Sequence, residues 1–128
     1  MKNFILLAED DEDDQELIRM AFRKITSNHD IRIVNNGQEA VEALLKQHNL
    51  PCLIILDLNM PLLNGIQTLQ ALTVDPRFAR IPKVMLTTSD DEDNKKNSYS
   101  NGAVDYFIKP NTIKEFVLAA EKMLAYCH

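Results

Sequence analysis

The chain has 128 residues, 45% hydrophobic and 26% charged, with a formal net charge of −5. That length suits one domain around a single core, and the acidic balance argues against binding nucleic acid or an anionic membrane through bulk electrostatics. Two cysteines, Cys52 and Cys127, are too few for a disulfide framework and lack a metal-site spacing, so a reducing cytoplasmic setting is expected.

Phe4-Ile5-Leu6-Leu7-Ala8 reads as a first buried strand, too short for a signal peptide or a membrane span. It stops against Glu9 to Glu16, where seven of eight residues are acidic. The helix that follows carries Ile18, Ala21, Phe22 and Ile25 at i, i+3, i+4 and i+7. Glu12 to Asp14 have a structural explanation, because carboxylates in a first helical turn cap free N–H groups and favour the macrodipole. Glu9 and Asp10 come directly off the strand and need another.

Ile31 to Val34 is a short second strand, Asn35-Asn36-Gly37 a turn, and Ala40, Val41, Leu44 and Leu45 mark a second helix. After Pro51, Leu53-Ile54-Ile55-Leu56 ends in Asp57. Four apolar residues closed by a turn fit a strand covered on both faces, in the middle of a parallel sheet. Asp57 then sits at a C-terminal tip, where open α/β sheets place their chemistry. By position alone it reads equally well as a turn cap. Asn64-Gly65 opens a third helix with Ile66, Leu69 and Leu72, which ends at Asp75-Pro76.

A loop with Phe78 and Ile81 leads to a fourth strand, Val84-Met85-Leu86, ending in Thr87-Thr88-Ser89. Between Asp90 and Ser100 Tyr99 is the only apolar residue, and Asn101-Gly102 is a stop signal. A helix there lacks an apolar stripe and is expected to be the loosest element. Ala103-Val104 and Tyr106-Phe107-Ile108 read as a fifth strand ending at Lys109-Pro110. The last helix starts near Thr112, with Ile113, Phe116, Val117, Ala120 and Leu124 on one face. Leu118 and Tyr126 project to the other, either as incidental exposed residues or as part of a contact surface. His29, His48 and His128 are scattered and read as surface residues, and Cys52 as packing at a strand start.

Five alternations of strand and helix predict a doubly wound parallel sheet of order 2-1-3-4-5, with helices on both faces and right-handed crossovers. On one edge the strand tips then gather Glu9, Asp10, Asp57, Thr87 and Lys109. Three carboxylates in one cleft repel, and a hard divalent cation relieves this; oxygen-only ligation suits magnesium. Lys109 adds a fixed positive charge, and Thr87 a donor for an anionic oxygen. A carboxylate held this way can attack phosphorus and give an aspartyl phosphate.

Glu9-Asp10, Asp57 within Asp57-Leu58-Asn59-Met60-Pro61 and Gly65, Leu86-Thr87, and Tyr106 to Pro110 resemble the receiver domains of two-component response regulators, a flavodoxin-like fold. The acidic run Glu9 to Asp14, Leu86 to Asp90 and the loop Asp75 to Ile81 look most like stand-alone regulators that partner bacterial phytochromes. The resemblance implies that Asp57 accepts phosphate from a sensor histidine kinase or phosphotransfer protein. It implies magnesium on Asp10, Asp57 and the backbone carbonyl of Asn59, with Glu9 acting through water. It makes Lys109 the partner of Asp57 and then of the phosphoryl group, and Thr87 with Tyr106 the switch. It also implies a cis bond before Pro110, and a homodimer through the fourth helix, fifth strand and last helix. Thr88 departs from the family's small residue and narrows access to Asp57.

Other readings fare worse. A phosphatase or mutase using the same intermediate needs an acid/base Asp two residues after the nucleophile, and Asn59 stands there. A nucleotide-binding domain needs a glycine-rich loop, and the three glycines are isolated. A scaffold receiver, independent of phosphorylation, would have lost an acid, the Thr or the Lys. The expectation is therefore one receiver domain over residues 1–128, with no output domain, that catalyses only its own phosphorylation and dephosphorylation and signals by protein contacts.

Overall fold

The computed structural model describes residues 3–127; His128 lies outside them. Five strands, β1 (Asn3–Ala8), β2 (His29–Val34), β3 (Leu53–Leu56), β4 (Lys83–Thr87) and β5 (Asp105–Ile108), form one parallel sheet. Its order is β2-β1-β3-β4-β5, as expected. The helices are α1 (Glu12–Ile25), α2 (Gly37–Lys46), α3 (Gly65–Thr73), the single turn α4 (Pro76–Ala79), α5 (Glu92–Ser100) and α6 (Ile113–Leu124).

β3 is buried along its whole length, because alternate residues point to opposite faces and both are covered. Ile55 packs with Ile18, Phe22, Phe116 and Ala120 of α1 and α6. Ile54 and Leu56 pack with Ala40, Leu44, Leu69 and Leu72 of α2 and α3. The helices start where short polar side chains accept their first free N–H groups: Asp11 for α1, Asn36 for α2 and Thr112 for α6. Asn64 and Gln67 form a reciprocal capping box at α3.

The stretch expected as a loop holds the helical turn α4. Asp75 caps it, Pro76 occupies its first position, and Arg77 closes on Asp75 at 2.7 Å. Buried Lys83 donates to the carbonyls of Phe78 (2.7 Å) and Ile81 (2.9 Å), which holds the turn on the sheet's N-terminal edge. Burial pushes the Lys83 ammonium down to about 8. α5 has only Ser98 buried, in keeping with its missing stripe. It ends at Ser100 with Asn101 as its cap, and Gly102 turns the chain away with a φ of +108°, which disfavours any side chain.

Four expectations are corrected. No peptide bond among the described residues is cis, so the bond before Pro110 is trans, the ordinary lower-energy form. Cys52 and Cys127 are joined in a disulfide with Cα atoms 4.8 Å apart. The 75-residue separation hid this, since only the fold returns the end of α6 to the start of β3. Tyr126 does not project away from the core. α6 ends at Leu124, so helical projection no longer applies, and Tyr126 packs beside the core with its hydroxyl 2.7 Å from Asp105. His29 is no isolated surface residue: it is half-buried, and a ring nitrogen lies within 4.8 Å of both sulfurs. Among the described residues no helix is long and apolar enough to cross a membrane.

Candidate functional site

In a sheet of this order the chain leaves β1 toward β2 and returns to β3 on its other side. A crevice opens at the C-terminal ends of β1 and β3. Glu9 and Asp10 follow β1, and Asp57 follows β3. The Asp57 N–H donates to the Ala8 carbonyl, 3.2 Å, which extends the ladder and fixes the two tips side by side. The carboxylate oxygens of Glu9, Asp10 and Asp57 all lie within 4.8 Å of one another. Glu9 and Asp57 are buried, whereas Asp10 is exposed at the mouth. The Asn59 N–H reaches an Asp57 oxygen at 3.4 Å. Gly65 lies close under this loop; a Cβ there would collide with the Asp57 carbonyl oxygen and the Met85 methyl.

Lys109, after β5, brings its ammonium in from the far side. Its N–H donates to the Thr87 carbonyl (2.7 Å), which anchors the strand end. Nζ lies 2.7 Å from Glu9, 2.7 Å from Asp14 and 3.1 Å from Asp57. Burial alone would lower the Lys109 pKa, but the hydrogen bonds it donates to Asp14 and Glu9 and the charges of Asp57 and Glu9 outweigh this and raise it. Burial pushes Glu9 up to about 7, and the Asp57 charge adds to this. The Lys109 hydrogen bond and the Asp11 N–H work the other way.

One ammonium among four carboxylates leaves the crevice short of positive charge, and the Asp57 charge adds to the burial that raises Glu9. An all-oxygen donor set with one or two ionised carboxylates fits magnesium. Asp10, Asp57 and Glu9 are the side chains able to hold it.

Thr87 is fully buried, and its hydroxyl receives the Ser89 N–H at 3.4 Å. The Tyr106 hydroxyl donates to the Ser89 carbonyl at 2.7 Å, and the Asn94 amide reaches the Ser89 hydroxyl at 2.8 Å. Thr87 and Tyr106 therefore meet the same residue at the entrance to α5. Thr88 is exposed beside them. Asp14 and Ser89 join the site without a place among the sequence-based candidates. As a first-turn acid Asp14 reads as a cap, but Asp11 already supplies the cap, accepting from the N–H groups of Asp13 and Asp14. A surplus acid one turn after Asp10 was the available signal. Ser89 carried none.

Residues 5–121 match the family model described as the response regulator receiver domain. The transcriptional regulatory protein SrrA of Staphylococcus aureus is 34% identical over 124 residues, 97% of this chain and 48% of SrrA. The chain thus spans about half the length of the curated relatives it matches. The phosphorylated cyanobacterial phytochrome response regulator RcpA superposes with a TM-score of 0.90 at 30% identity, covering 99% of this chain and 94% of that one. The Mn(2+)-bound form of response regulator Rcp1 gives 0.85 at 31% identity, covering 96% and 92%.

Proposed function

The chain belongs to the response regulator receiver family, and we propose that it accepts a phosphoryl group on Asp57 from a sensor histidine kinase or phosphotransfer protein of the cytoplasm. The observation that carries this reading is the Asp57 carboxylate, buried at the tip of β3 with the Lys109 ammonium at 3.1 Å and the Glu9 and Asp10 oxygens within 4.8 Å. An Asp57 oxygen forms the bond to phosphorus, and the P–N bond to the donor histidine breaks as the imidazole nitrogen leaves. Lys109 shifts from its three carboxylates toward the phosphoryl oxygens. Magnesium, on Asp10, Asp57 and the Asn59 carbonyl, with Glu9 acting through water, would neutralise charge on the transferring group.

Catalysis is confined to the protein's own phosphorylation and dephosphorylation, since Asn59 cannot move a proton for turnover on other substrates. The signal leaves through α5, β5 and α6. The Tyr126 hydroxyl donates to Asp105 at 2.7 Å, which ties β5 to the segment that follows α6. The three elements expose Tyr99, Ile108 and Leu118, an apolar face suited to a second copy of the chain.

Acetyl phosphate with magnesium should add one phosphoryl group to the wild type and none to Asp57→Asn, read by intact mass. Label that persists in the variant, or never forms on the wild type, sinks the reading.

A further inference from the structure

The edge of the sheet opposite the phosphorylation crevice carries a second cluster of reactive groups. Cys52 directly precedes β3 and Cys127 follows α6, and the two are bonded with Cα atoms 4.8 Å apart, inside the usual disulfide range. Both residues are half-buried, so the pair stays within reach of solvent. A ring nitrogen of His29, at the start of β2, lies within 4.8 Å of both sulfurs. The ring is held by Thr26, whose hydroxyl is 2.7 Å from Nδ1. Cys52 also lines an open hollow of about 430 Å³ with Pro51, Tyr126, Arg77 and Arg80. The hollow has room for a small molecule; Arg77 is already paired with Asp75, and the Arg80 guanidinium at its rim favours an anionic one.

We propose that Cys52, Cys127 and His29 form a thiol–disulfide exchange site for anionic low-molecular-weight disulfides of the glutathione class. In the reduced protein His29 accepts the Cys52 proton, and the Cys52 thiolate attacks one sulfur of the small disulfide. An S–S bond forms at Cys52 while the old S–S bond breaks, and the departing thiolate takes the proton. Cys127, which gives up its own proton in turn, attacks Cys52 in the mixed disulfide and expels the second small thiol. The balance is protein dithiol plus disulfide to protein disulfide plus two thiols. Cys52 is the entry sulfur because it faces the hollow; Cys127 resolves. The product staples the end of α6 to the start of β3. It leaves the phosphorylation crevice, at the other end of the same strand, untouched.

Fully reduced protein incubated with oxidised glutathione should lose both alkylatable thiols without retaining an adduct. Closing a loop of this length should raise Tm by roughly 5–15 °C over the reduced form. Cys127→Ser should stall with one glutathione on Cys52, and Cys52→Ser should react far more slowly. His29→Gln should slow closure several-fold at neutral pH and recover near pH ~9–10, where an ordinary thiol ionises unaided; a merely structural histidine would show no such recovery. Asp57 labelling should be equal in both redox forms. Thiols that remain alkylatable, no adduct on Cys127→Ser, or a His29→Gln defect unchanged at high pH would overturn the proposal. So would one equivalent of Zn²⁺ bound by reduced protein with both thiols shielded, which would make the cluster a metal site.

Discussion

The Lys109 ammonium is nearer to Asp14, at 2.7 Å, than to Asp57, at 3.1 Å. Asp14 lies on the first turn of α1 and is a quarter exposed, so it draws the lysine toward the crevice mouth. The lysine must leave that contact to meet a phosphoryl group. Asp14→Asn should therefore speed labelling by acetyl phosphate about two- to five-fold, the effect of ~0.5–1 kcal/mol for one partly exposed ion pair. Initial rates at fixed magnesium measure it. An unchanged or slower rate would show that Asp14 supports the productive position of Lys109 instead.

Glu9 gives the site a pH signature. Its folded pKa, about 7, lies above the ordinary 4.5, chiefly through burial. Stability from such a group is whole below pH ~4.5 and is lost as pH rises through about 7. Without metal, the wild type should lose stability relative to Glu9→Gln between pH 5 and 8, and saturating magnesium should remove the difference. Urea midpoints of both proteins across that range decide it; parallel pH profiles would leave Glu9 without this role.

The Tyr106–Ser89 hydrogen bond is the tether between β5 and the loop into α5. α5 has one buried residue to hold it, so it should be the element that moves when Asp57 is modified. Beryllium fluoride with magnesium should change hydrogen exchange most in residues 88–102. Tyr106→Phe should raise exchange in the same span before any modification. Larger changes in α2 than in this span would remove α5 from the switch.

Leu118 is 52% exposed in the middle of α6, whose other face fills the core with Phe116, Ala120 and Met123. Leu118→Glu should leave Tm and Asp57 labelling unchanged and weaken self-association of the phosphorylated form about ten-fold or more, since a charge would enter an apolar contact. Sedimentation equilibrium reads the constant. Wild-type association by the variant would place the dimer contact elsewhere.

The sheet, and the gathering of acids, a hydroxyl and a lysine at one of its edges, could be read from local patterns in the chain. Alternation of apolar runs with helical periodicity is local information, and in a doubly wound fold every strand's C-terminal tip reaches the same edge. Glu9, Asp10, Asp57, Thr87 and Lys109 were legible for that reason. Tertiary structure decided what depends on distance between segments far apart in the chain. Asp14 looked like a helix-start acid until α1 packed it beside Lys109, 95 residues on. Tyr126 left its helical projection once α6 had ended, and Asp105 captured its hydroxyl. Cys52, Cys127 and His29 carry no spacing signal at all. They meet only because β2, β3 and the end of α6 share the N-terminal edge, and no local pattern encodes which side chains two such ends bring together.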